Sequence, residues 1–227
     1  MVVKELLKRI PESATIFRTA VGLRYRRSLS SAGHYRIRPV VDLPPFEMYL
    51  DVDSEVDFRK VRGGYEPHVQ ELLAEVCAPD TVFWEIGAAW GFFSLATAPL
   101  VDSVRAFEAV PDRAEWLRAA ARRNGYENVT AIGGHVGDEV HLDEFSPPDV
   151  GLMDVEGAEA ELVSAYPSLV SSVPLWIVEL HDPGLPRVAD TADPAATVVR
   201  LEECGFDVRR LGEPRKEGNY HVVAEAT

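Results

Sequence analysis

The apolar positions of this chain fall into short runs separated by amphipathic stretches. Residues 66–77 carry Val69, Leu72, Leu73 and Val76 at the three- and four-residue spacing of one helix face, and Pro79 with Asp80 predicts the end of that helix. TVFWEI at 81–86 reads as a short apolar strand, followed by a glycine-bearing turn and a helix over 90–100. SVRAFE at 103–108 is a second strand. Pro111 then opens a helix, at a position where the missing N–H costs nothing, and Gly125 is suited to end it after Asn124. ENVTAI at 127–132, DVGLMD at 149–154 and PLWIVELH at 174–181 are further strands, with a short helix from near Gly157 that Pro167 interrupts. A helix over 196–205 ends in Gly205. FDVRRL at 206–211 and YHVVAEA at 220–226 stand too close for a helix between them, which predicts an antiparallel pair at a sheet edge. Apolar strands alternating with helices predict an α/β, Rossmann-like fold: a mostly parallel seven-stranded sheet, covered on both faces, with an antiparallel edge strand.

Before this domain, placed at 64–227, comes an extension over 1–63. Val2, Leu6 and Ile10, then Ile16, Phe17 and Val21, recur near helical spacing, and 34–51 suggests one or two short strands broken by Pro44 and Pro45. No apolar run approaches the length of a membrane span. Lys4, Glu5, Lys8 and Arg9 interrupt the first apolar residues, so the start lacks a signal-peptide layout. Cys77 and Cys204 have no metal or redox spacing. A cytoplasmic location is expected.

Charge sharpens this picture. The net charge of −14 hides +7 in residues 1–40 and −21 in the remainder, and 19 arginines accompany only four lysines. Such a surface suits high salt, where like-charge repulsion is screened, and points to a salt-loving archaeon as its source. It argues against a nucleic-acid partner, which would need phosphate-neutralising cations. The basic prefix 1–30 is expected to pack on the acidic body or on a second subunit, giving a homo-oligomer; contact with the inner face of an anionic membrane is the alternative.

The candidate chemistry lies at the carboxyl ends of the strands, where ligands of doubly wound sheets bind. The first strand ends in Glu85-Ile86-Gly87-Ala88-Ala89-Trp90-Gly91 and the second in Glu108, about twenty residues after the glycines. An acid at that distance suits a carboxylate that accepts from two ribose hydroxyls, as with NAD or S-adenosylmethionine. The loop separates the two. NAD loops keep GxGxxG open to a pyrophosphate, whereas here Trp90 is bulky, and Glu85 suits a ligand bearing an ammonium and a sulfonium. Asp154, Glu156 and Glu159 crowd the end of the fourth strand, and Glu179, His181 and Asp182 the end of the fifth. His181 is a candidate general base with Asp154 as competitor, and Glu156 joins them as a catalytic candidate. Gly137 and Asp138, after the third strand, complete a cofactor set of Glu85, Gly87, Ala88, Ala89, Gly91, Glu108 and Asp154. Asp154 and Asp182 end adjacent strands, yet no tighter ligand spacing supports a metal, and none is expected.

Together, FWEIGAAWGFFSL, AFEAVP, MDVEGAE and IVELHDP, with GYEPHVQELL before them, resemble the FkbM-type methyltransferase family over residues 64–182. The resemblance implies the class I, Rossmann-like methyltransferase fold and S-adenosylmethionine as cofactor. It also implies O-methylation of a sugar, small-molecule or glycolipid hydroxyl, with methyl-ester formation on a uronic acid carboxylate as the alternative. It gives cofactor roles to Glu85, Gly87, Ala89, Gly91 and Glu108, and sets Asp154, Glu156, Glu159, Glu179 and His181 around cofactor and acceptor. The family usually has Asp at Glu85, Asn at Ala89 and Pro at Ala109. A chain that binds the cofactor without turning it over, acting as an interaction protein, is the reading from outside enzymology.

Overall fold

The computed structural model describes residues 33–41, 43–50, 59–185, 188–212 and 218–227; the basic prefix 1–30 lies outside them. β1 (His34–Ile37) and β2 (Phe46–Tyr49) form an antiparallel hairpin of their own. There follow α1 (Pro67–Val76), β3 (Val82–Ile86), α2 (Phe92–Thr97), β4 (Ser103–Glu108), α3 (Pro111–Asn124), β5 (Val129–Gly133), β6 (Val150–Met153), α4 (Glu159–Ala165), α5 (Pro167–Val170), β7 (Leu175–His181), α6 (Pro194–Glu203), β8 (Phe206–Leu211) and β9 (Asn219–Ala226).

Seven strands make one sheet in the order β5-β4-β3-β6-β7-β9-β8. β5, β4, β3, β6 and β7 run parallel. β9 is antiparallel to both of its neighbours, so the reversed strand sits one place in from the edge and β8 lies outside it. The order reverses between β3 and β6, which opens a crevice beyond the carboxyl ends of these strands.

Period-two alternation explains how the sheet is covered. In β3, Phe83 enters the cluster that holds Leu73, Phe92 and Leu117, while Trp84 enters the opposite cluster with Trp176, Val163 and Leu201. All of these are buried, as expected for parallel strands with helices on both faces. The hairpin shares the first cluster through Ile37, Phe46 and Met48. It is tied to α3 by the Asn124 side chain, which accepts from the Glu47 amide at 2.7 Å and donates to the Glu47 carbonyl at 2.6 Å. Rings continue the link: Tyr49 packs on Trp116 (4.8 Å between centroids), and Trp116 stacks on Trp90 at 4.5 Å. The hairpin thereby braces the loop after β3. No helix among the described residues is long and apolar enough to cross a membrane.

Candidate active site

Two glycines shape the loop after β3. Gly87 has φ +87°, and a Cβ there would lie 1.8 Å from the Asp154 carbonyl oxygen, so only glycine lets the ends of β3 and β6 meet. Gly91 has φ +78°, and its Cβ would strike Leu117 of α3 at 2.1 Å. Its missing side chain serves the packing of α2 on α3, and Gly91 is not part of the cleft lining. The amides of Gly87 and Ala88 both donate to the Phe107 carbonyl, at 2.9 and 3.0 Å, which holds the turn against β4. Ala88 is buried there. Ala89 takes a left-handed φ of +48°, a conformation that Asn adopts more readily than Ala.

A cleft of about 1290 Å³ opens at this edge. Gly87, Ala89, Trp90, Glu108, Gly137, Asp138, Asp154, Glu156 and His181 all line it, so most of the residues singled out from sequence converge on one cavity. Glu108 is held rigidly. Its Oε2 accepts from the Ala89 amide at 2.6 Å and its Oε1 from the Val110 amide at 2.8 Å, with Arg113 3.8 Å away. A carboxylate has about four acceptor positions, and two remain for a ligand's hydroxyls. Gly137 and Asp138 are exposed at the rim.

Glu85 faces elsewhere. It is buried, does not line the cleft, and accepts hydrogen bonds from the Ser94 amide at 2.7 Å and the Ser94 hydroxyl. Burial pushes its pKa up to about 7, against the opposing pull of Ser94 and Lys60. Asp182 is exposed and likewise outside the lining, its amide bonded to the Gly218 carbonyl at 2.9 Å.

The floor of the cleft is an imidazole among acids. His181 is 4% exposed. Its Nδ1 lies 2.9 Å from Glu159 Oε1. A carboxylate only accepts, so Nδ1–H donates and Nε2 is the nitrogen turned to the other acids. Nε2 lies 3.6 Å from Asp154 Oδ1 and 3.7 Å from Glu156 Oε2. Burial by itself lowers the His181 pKa, but the Glu159 hydrogen bond and the charges of Asp154, Glu159 and Glu156 outweigh it, and the net shift is upward. Glu159 is buried and also accepts from the Gly157 amide at 3.0 Å. Burial pushes Asp154 up to about 6, with His181 pulling down and Glu156 pushing up. Glu179 rises well above the ordinary carboxylate range through burial and through the charge and hydrogen bond of Asp154; it also accepts from Asn219 at 2.5 Å.

Lys60 and Asn219 line the cleft without having been marked by any motif. Lys60 is nearly buried, 4.5 Å from the Tyr65 ring centroid, and its charge opposes the upward shifts of Glu85, Asp154 and Glu179.

No family model matches the chain. The 23S rRNA (uracil(1939)-C(5))-methyltransferase RlmD of Idiomarina loihiensis is 28% identical over 123 residues, a match covering 52% of this chain and only 27% of that protein. Among solved structures, the precorrin-6y C5,15-methyltransferase of Geobacter metallireducens superposes with a TM-score of 0.55 at 19% identity, covering 71% of this chain and 89% of that one. TYW2 of M. jannaschii, solved in complex with AdoMet, gives 0.54 at 16% identity and covers 84% of each chain. The mostly parallel seven-stranded sheet, with its reversed strand β9, is the Rossmann-like class I fold of S-adenosylmethionine-dependent methyltransferases.

Proposed function

We propose that this chain transfers a methyl group from S-adenosylmethionine to a hydroxyl oxygen of a sugar, glycolipid or other small molecule, as the FkbM-type enzymes it resembles do. One observation carries the reading: the clamped Glu108 carboxylate and the His181–Asp154–Glu156 group line the same cleft at the carboxyl edge of the sheet. Glu108 would hold the ribose hydroxyls, and Trp90, Gly137 and Asp138 would border the adenosine. Asp154 would face the cationic end. When bound, S-adenosylmethionine supplies an electrophilic methyl on a sulfonium.

The chain's own residues align the acceptor and handle its proton. Alignment of the oxygen behind the methyl–sulfur bond lowers the barrier by removing freedom already lost on binding. The acceptor O–H then gives its proton to His181 Nε2, held by Glu159 from behind, and the raised His181 pKa suits a group that must accept a proton near neutrality. A methyl ester would need no such base, so a buried, oriented imidazole favours a hydroxyl acceptor over a carboxylate. Carbon methylation of a uracil, the chemistry in the RlmD name, requires a nucleophile such as a thiolate to add to the ring first. Neither cysteine lines the cleft, and burial pushes the Cys77 thiol up to about 12. The −21 carried by residues 41–227 also disfavours a nucleic-acid acceptor.

Incubating the full chain with methyl-labelled S-adenosylmethionine and a lipid and glycan extract of the source cell, at high salt, tests the reading. Label in an O-methylated sugar or glycolipid supports it; label in RNA, or none in any fraction despite bound cofactor, overturns it.

A further inference from the structure

We infer that Asp154, Glu156 and His181 form a site for one divalent transition-metal cation, of the manganese or zinc class, at the floor of the cleft. The three each offer one ligand atom, and these atoms lie within 4.8 Å of one another. The 3.6 and 3.7 Å from His181 Nε2 to the two carboxylate oxygens are too long for hydrogen bonds. They are close to the edge of a coordination tetrahedron, since bonds of about 2.0–2.2 Å separate neighbouring ligand atoms by roughly 3.3–3.5 Å.

Asp154 Oδ1 adds an independent sign. It is a buried oxygen with no hydrogen-bond partner, although it sits among groups that do have partners. Such an atom is costly unless something arrives to satisfy it, and His181 Nε2 lies 3.6 Å from it. A cation placed between them would satisfy both.

The supporting residues fit as well. His181 is fixed through Nδ1 by the buried Glu159, which is itself bonded to the Gly157 amide. A carboxylate behind a histidine, freeing the other nitrogen for a metal, is how ligating imidazoles are oriented. Glu156 takes a left-handed φ of +53°, and its carbonyl is pinned by the Ala189 amide at 2.9 Å. This turn swings Glu156 back towards His181 within two residues of Asp154. One imidazole with two carboxylates suits manganese, iron or zinc better than magnesium or calcium.

The catalytic use of the cation rests on the methyl-transfer reading; the binding site does not. Three protein ligands leave positions open to the cleft for an acceptor hydroxyl. The coordinated O–H loses its proton to the outer oxygen of the half-exposed Glu156. The oxygen forms its bond to the methyl carbon, the carbon–sulfur bond breaks, and its electron pair stays on the sulfur as a neutral thioether. His181 is then a ligand, the cation acidifies the hydroxyl, and Glu156 in place of His181 takes the proton.

The full chain, stripped with EDTA, should be titrated with MnCl2 while free Mn²⁺ is followed by electron paramagnetic resonance, and with ZnCl2 against a chromophoric chelator. One equivalent of saturable binding is expected for at least one ion. Asp154→Asn and His181→Ala should weaken it by more than about 100-fold, and Glu159→Gln by about 10–100-fold. Glu108→Gln should bind the ion as wild type does while losing cofactor affinity. Matching thermal melts show which variants are folded, and the isosteric Asp154→Asn guards against a His181→Ala that is not. Absence of saturable binding in the wild type, or wild-type affinity in both Asp154→Asn and His181→Ala, overturns the site and leaves methyl transfer with His181 as base. Metal binding without methyl transfer strikes only the functional reading.

Discussion

Replacing Glu85 with Gln should flatten part of the pH dependence of stability. The carboxyl is 3% exposed, and burial raises its pKa from 4.5 to about 7. Between these values the folded protein keeps a proton that the unfolded chain has released. Stability therefore falls as pH rises through that window and stays lower above it. At 1.36 kcal/mol per pKa unit, the shift corresponds to about 3 kcal/mol. Glutamine preserves the size and an acceptor for the Ser94 amide but does not titrate. Urea unfolding of both proteins at pH 4.5 and pH 8, at fixed ionic strength, measures the effect, provided the slopes with denaturant agree. The wild type should lose about 3 kcal/mol more than Glu85→Gln across the interval. Parallel profiles would refute the buried, proton-holding Glu85.

Gly87→Ala forces a Cβ to 1.8 Å from the Asp154 carbonyl and should cost more than about 3 kcal/mol in urea melts, as overpacking and a left-handed φ combine; a loss below about 1 kcal/mol would mean that the β3–β6 junction relaxes freely. Ala89→Asn places a residue tolerant of φ +48° in the loop and should raise stability by up to about 1 kcal/mol, with a lowered melting temperature as the contrary result. His181→Ala should reduce turnover by about 10²–10⁴-fold while calorimetric cofactor affinity changes only a few-fold; turnover near wild type would remove His181 from the chemistry.

Most of the sheet was legible because covered parallel strands are written as short, predominantly apolar runs. TVFWEI, SVRAFE and DVGLMD each contain a strand of the structure. α6 starts at Pro194, two residues before the helix expected over 196–205, because Asp193 caps it by accepting from the Ala196 amide at 2.9 Å. Glu108 and the MDVEGAE block pointed to the cleft because strand ends are where a doubly wound sheet binds ligands. Nearness to the glycines suggests a Glu85 turned towards the ligand. Alternation in β3 instead sets it on the Phe83 face, towards α2. The Glu159–His181 hydrogen bond joins residues 22 apart on different elements, and Lys60 falls between the strands expected over 34–51 and the helix over 66–77; nothing local in sequence announces either.

Cofactor affinity is the decisive measurement for a methyl donor bound at Glu108. Titration calorimetry of the full chain in high salt should show S-adenosylmethionine and its demethylated product binding at one site, with no heat from NAD. Glu108→Ala should weaken that binding by roughly 1.5–3 kcal/mol, as expected for hydrogen bonds to a charged group. Binding of NAD with no response to S-adenosylmethionine, or an unchanged affinity in Glu108→Ala, would contradict it.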